Sequence, residues 1–167
     1  KESIRINGKE GKEDTGSIDT TVQEKNITYP TDSKLHRKII KKCHAIADKE
    51  GLDLRQSYSR TLKRLGIDQR FRKHPRNGQK ARRADRKVKT IAGRLVRELG
   101  RKLAPKQYAD ELALFSRVLK QRKQDKNKVY SLHEPDVKCI SKGKEHKKYE
   151  FGSKVSITIT RNSGVII

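Results

Sequence analysis

The stretch Tyr149-Glu150-Phe151-Gly152-Ser153-Lys154-Val155-Ser156-Ile157-Thr158-Ile159 decides the fold class. Tyr149, Phe151, Val155, Ile157 and Ile159 take odd positions, separated by polar residues and Gly152. Period two over that length predicts a long half-buried strand, because successive strand side chains point to opposite faces. By the same alternation Glu150 is expected to point away from the core. Arg161-Asn162-Ser163-Gly164 supplies a turn, and Val165-Ile166-Ile167 begins a returning strand, so a C-terminal β-hairpin is expected. Towards the other end, Ser17-Ile18-Asp19-Thr20-Thr21-Val22-Gln23 also alternates, with Ile18 and Val22 on one side and Asp19 and Thr21 on the other.

Between these strands the apolar period changes to that of a helix. Leu35, Ile39, Cys43, Ile46 and Ala47 share one face of a first helix that Asp32 or Ser33 can cap and Gly51 can end. Its opposite face carries Lys34, Arg37, Lys38, Lys41 and Lys42. A second helix is expected over 54–65 and a loop over 66–78, where Pro75, Asn77 and Gly78 cluster. Ala84, Val88, Ile91, Leu95, Leu99 and Leu103, at steps of three and four, predict a longer helix over 79–103, with a bend at Gly93 or Gly100. Pro105 suits the first position of a last helix marked by Tyr108, Leu112, Phe115, Val118 and Leu119. The expected architecture is α+β: residues 1–32 with the first strand, a helical insertion over 33–128, and a loop and hairpin over 129–167.

The charge follows this division. The 167 residues hold 43 Lys and Arg against 20 Asp and Glu, a net +23. Residues 34–128 alone hold 31 basic and 9 acidic side chains, a balance of +22. Charge that concentrated repels itself in a compact state and calls for a polyanionic partner, nucleic acid above all. Hydrophobic residues make up only 31% of the chain, and no apolar run approaches the roughly 20 residues a membrane-spanning helix needs. Cys43 and Cys139, far apart and without a secretory leader, read as reduced thiols of a cytosol. The lack of any Met and the apolar last residues lead us to expect an internal piece of a longer protein.

Few residues suggest chemistry. A carboxylate in the middle of a strand is disfavoured by propensity, so Asp19 is either a solvent-facing residue of a one-sided sheet or a ligand for a hard cation such as Mg²⁺. Cys43, His44, His133, Cys139 and His146 lack the paired spacing of a zinc site. Arg82, Arg83, Arg86, Lys87 and Lys89 are placed to line one helical face against a DNA backbone, and Arg94, Arg97 and Arg101 continue it. Phosphate contacts of this kind position a protein without reading sequence.

Several long words resemble bacterial insertion-sequence transposases of the IS-five type. They are Asp19-Thr20-Thr21-Val22-Gln23-Glu24-Lys25-Asn26-Ile27-Thr28-Tyr29-Pro30-Thr31-Asp32, Asp125-Lys126-Asn127-Lys128-Val129-Tyr130-Ser131-Leu132-His133-Glu134-Pro135, and the run over 143–155. Leu54-Arg55-Gln56-Ser57-Tyr58 and Ile91-Ala92-Gly93-Arg94-Leu95 fit as well. The resemblance implies part of an RNase H-like domain whose Asp-Asp-Glu triad holds two Mg²⁺ (or Mn²⁺) ions for cleavage and strand transfer of double-stranded DNA. Asp19 matches the first acid and first metal ligand, residues 33–128 an insertion between the first two strands, and the hairpin from Tyr149 the second and third strands.

The second Asp and the Glu have no counterpart in the chain, so it is expected not to cleave DNA alone. Lys144, Lys147, Lys148 and Lys154 border the catalytic strands in this reading and are expected phosphate contacts. The resemblance also implies a cytoplasmic, nucleoid-associated protein. Transposases of this kind generally act as multimers, which leaves a homo-oligomer open without specifying a surface for it. The alternative is a basic nucleic-acid-binding module with no chemistry, which assigns no role to Asp19.

Overall fold

A computed structural model describes residues 6, 8, 15–104, 106–141 and 148–166. The fold is mixed α+β, with four helices and a three-stranded antiparallel sheet among these residues. The chain divides into a helical unit, Thr28–Asp136, and a second unit made of 1–27 and 137–167.

The helical unit contains α1 (Asp32–Lys49), α2 (Ser59–Asp68), α3 (Gly78–Lys102) and α4 (Ala109–Lys120). Thr31, rather than Asp32 or Ser33, caps α1: its extended backbone lets the hydroxyl accept from the Lys34 N–H at 3.3 Å. Gly51 ends the helix as expected, with φ +62°. Leu52 N–H donates to Ala47 O and Gly51 N–H to Asp48 O, which satisfies carbonyls left over at the helix end. The predicted apolar stripes form one core. Leu35, Ile39, Cys43 and Ile46 of α1 cluster with Val88, Ile91, Leu95 and Leu99 of α3 and with Phe115 and Val118 of α4.

Three helix boundaries differ from the sequence reading. The second helix begins at Ser59, not at 54, because Tyr58 takes a left-handed backbone (φ 55°) that an α-helix cannot contain. It then runs through Gly66 to Asp68, and turns occupy most of 69–77. The fourth helix begins at Ala109 after a similarly left-handed Tyr108, while Pro105 lies outside the described residues. α3 is continuous through Gly93 and Gly100.

The second unit holds β1 (Gly16–Glu24), β2 (Lys138–Ser141) and β3 (Tyr149–Thr160), in the order β1-β3-β2 with antiparallel neighbours. Asp19 pairs opposite Ile157, and Cys139 opposite Phe151. Gly152 is required where β3 meets β1: a β-carbon there would overlap the Gln23 carbonyl oxygen and lie 2.8 Å from its carbon. The expected hairpin is reduced to one bridge, Ile159 to Ile166, with Ile167 outside the described residues. The turn is tied by Thr160, whose Oγ1 accepts from Val165 N–H at 2.7 Å. Central β3 pairs with β1 on one side and, on the other, with β2, a strand the sequence pattern does not predict. The alternation also inverts at its start. Tyr149 is exposed, whereas Glu150, expected to point outward, is buried opposite Ile140. On β1, Val22 is half-buried but Ile18 is exposed.

Candidate nucleic-acid interface

α3 carries the strongest charge pattern. Ala84, Val88, Ile91, Leu95 and Leu99 hold its inner face in the core, with exposures of 2% or less. At 100° per residue, Arg82, Arg83, Arg86, Lys87, Lys89, Arg94, Arg97 and Arg101 fall within an arc of about 160° on the other side, spread over about 28 Å of helix axis. All eight are exposed. The sequence reading placed them together on one face, and α3 does so.

Several other cations of the unit are engaged by partners. Lys42 pairs with Glu111 at 2.7 Å, Arg72 with Asp85 at 2.6 Å, Lys80 with Asp68 at 2.9 Å, and Lys102 with Glu98 at 2.8 Å. Lys128 reaches Asp32 at 3.3 Å. Arg37, on the basic side of α1, donates to Gln69 Oε1 at 2.8 Å and to the Leu62 carbonyl. No hydrogen bond or ion pair among the described residues engages the side chains of the eight. Their mutual repulsion, eased at Arg101 by the charge of Glu98, is otherwise relieved by solvent counterions or by an anion laid along the face.

One buried polar group of the helical unit lacks a partner at one of its atoms. His36 is buried, and its Nδ1 has no hydrogen-bond partner. Burial, and secondarily the charge of Lys89, pull its pKa from 6.5 down to about 4, so it is neutral at pH 7. Cys43, packed in the core, has its thiol pushed up to about 12, mainly by burial and further by the charge of Glu111.

A cleft adjoins one end of the face. Arg55, Gln56 and Tyr58 from the loop before α2 line it together with Arg94, Arg97 and Arg101 of α3. The sequence reading missed the loop residues, because it placed Arg55 inside a helix and nothing local brings residue 55 beside residue 94. The charge of Arg55 within a word that carried the resemblance was the available signal.

The other candidate residues lie elsewhere. Asp19 is exposed in the middle of β1, an outer strand of the sheet, and its side chain makes no hydrogen bond or ion pair among the described residues. Lys154 of β3, also exposed, pairs opposite Val22 of β1. Lys148 is exposed, with its Nζ 5.8 Å from the centre of the Tyr149 ring. Lys144, Lys147 and His146 lie outside the described residues. No group of three His, Cys, Asp or Glu side chains among the described residues could hold a metal ion. No helix among them is long and apolar enough to cross a membrane.

No family model and no solved structure matches the chain. A curated protein of Rhizobium meliloti, "Uncharacterized protein ORF8 in nfe locus", is 45% identical over 60 residues. That match covers 36% of this chain and 29% of the Rhizobium protein.

Proposed function

We propose that this chain is part of a DNA transposase of the IS-five type, and that its helical unit binds duplex DNA through the outer face of α3. The observation that carries the binding reading is the set of eight exposed, partner-free basic side chains on one side of one continuous helix. Guanidinium and ammonium groups so placed neutralise phosphates and release condensed counterions, which supplies affinity without sequence readout.

The transposase reading rests on the sequence words and on their placement. Asp19 stands mid-strand on β1, which pairs antiparallel with β3, and the helical unit falls between those two strands in sequence. The resemblance expects a strand, an insertion and then a hairpin at the start of an RNase H-like domain. Strand and insertion follow in that sequence order, while β2 stands before β3 and the hairpin is reduced to one bridge. Asp19 would be the first of three acids. The described residues offer one carboxylate there and do not make a site for two Mg²⁺ ions, so no catalytic step is assigned to them. The exposure of Asp19 favours a second reading, a DNA-binding module without chemistry.

Fluorescence anisotropy with a labelled 20-base-pair duplex tests the binding reading. Salt-sensitive binding is expected, and no binding at 50 mM salt overturns it. Asp19→Asn separates the two readings when introduced into the complete reading frame. Lost excision of a marked element supports the transposase, and unchanged excision leaves the module.

A further inference from the structure

Two words that carried the resemblance, 54–58 and 91–95, lie almost forty residues apart in sequence yet meet at the cleft of about 440 Å³ beside α3. Arg55, Gln56 and Tyr58 come from the first, and Arg94 from the second. Arg97 and Arg101 complete a set of four arginines around a space large enough for a sugar-phosphate unit rather than a bare ion.

The single acid of the cleft, Glu98, is already engaged. Its Oε1 accepts from the Arg55 backbone N–H at 2.8 Å and from Lys102 Nζ at 2.8 Å, and Lys102 Nζ also donates to the Asp53 carbonyl. These bonds hold the Glu98 carboxyl below the usual carboxylate range, first through Lys102 and then through the Arg55 N–H. Glu98 and Lys102 thus fasten the loop onto α3; the Glu98 charge also acts on Arg101, but no hydrogen bond or ion pair among the described residues occupies the four guanidinium groups. Tyr58, half-buried against the core in its left-handed conformation, fixes where the loop turns into α2. Such backbone strain is tolerated where the surroundings over-determine it, and it gathers at ligand sites.

We infer that this cleft is a built seat for a DNA phosphate, gripped by paired guanidinium hydrogen bonds rather than by charge alone. The inference rests on the DNA-binding reading and deepens it. Phosphates along the rest of α3 meet a smooth row of charges, whereas the one in the cleft meets arginines from two elements at once. Guanidinium forks match phosphate oxygens in bidentate fashion and an ammonium does not, so Arg and Lys are not interchangeable at such a seat.

That difference gives the test. Arg55→Lys/Arg94→Lys/Arg101→Lys keeps every charge and most of each stem, as does the control Arg82→Lys/Arg83→Lys/Arg86→Lys. Both are compared with the unchanged chain on a 20-base-pair duplex at about physiological salt, after thermal melts confirm that all three fold. The cleft variant is expected to lose about tenfold or more in affinity, and the control less than about twofold. Equal behaviour of the two variants overturns the seat while leaving the DNA reading standing. Failure of the unchanged chain to bind the duplex overturns both.

Discussion

Removing half of the free α3 charges tests the interface quantitatively. In Arg82→Ala/Arg86→Ala/Arg94→Ala/Arg97→Ala, four of eight exposed, partner-free cations disappear, while the residues facing the core are untouched. Each neutralised phosphate contributes about −0.9 to the slope of log affinity against log salt, so eight contacts set an upper limit of about −7. The unchanged chain would then lose about four decades of affinity between 50 and 200 mM salt, and the variant about two. Stability should hardly move, since exposed Arg→Ala changes on a helix surface stay within about 0.5 kcal/mol each and Ala is the better helix former. Anisotropy titrations at four or five salt concentrations read the slope, with far-ultraviolet circular dichroism as the folding control. A variant slope equal to that of the unchanged chain would refute the reasoning, and would shift the contact to other cations such as Lys34, Lys38 and Lys41 of α1.

Further outcomes follow from the fold. His36 titrates at about 4 when folded and near 6.5 when unfolded, so as pH falls the unfolded chain takes the proton first. Stability of the helical unit should therefore decline from about pH 6.5 towards 4, by up to about 3 kcal/mol, in urea melts. His36→Leu should flatten that part of the profile, and an unchanged profile would contradict it. Gly152→Ala drives a β-carbon into the Gln23 backbone and should cost about 1–3 kcal/mol in the sheet unit. Amide exchange should quicken in β1, with α1 and α3 unchanged; an unaltered β1 would contradict the register. Cys43, buried with its thiol pushed up to about 12, should resist iodoacetamide at pH 8 until the chain is unfolded. Rapid labelling of the folded protein, read by peptide mass spectrometry, would argue against that core.

The sequence made α1 and α3 legible because apolar residues recur at helical spacing over 18 and 25 residues, long enough to override local exceptions. It misplaced α2 because Leu54, Leu62 and Leu65 satisfy a helical pattern, whereas the left-handed backbone of Tyr58 leaves no trace in composition. β2 escaped notice because Lys138-Cys139-Ile140-Ser141 is too short to alternate, and its existence depends on β3 lying alongside. Glu150 shows the same limit. Period two identifies a strand, but tertiary context decides which face of a central strand is covered. At the interface, the row of arginines on α3 is a one-dimensional pattern and reads directly from spacing. The cleft needs a long-range contact between 55 and 94, which spacing does not encode. For Asp19, the alternation alone left both a water-facing residue and a metal ligand open, and the structure puts the side chain in solvent on an outer strand.

The most direct measurement is an arginine footprint: glyoxal labelling of the chain with and without a saturating 20-base-pair duplex, read residue by residue by mass spectrometry. Arg82, Arg86, Arg94 and Arg97 should be protected several-fold, with Arg161 of the sheet unit labelled equally in both samples. Equal labelling of the α3 arginines in a sample shown to be fully bound would contradict the α3 interface.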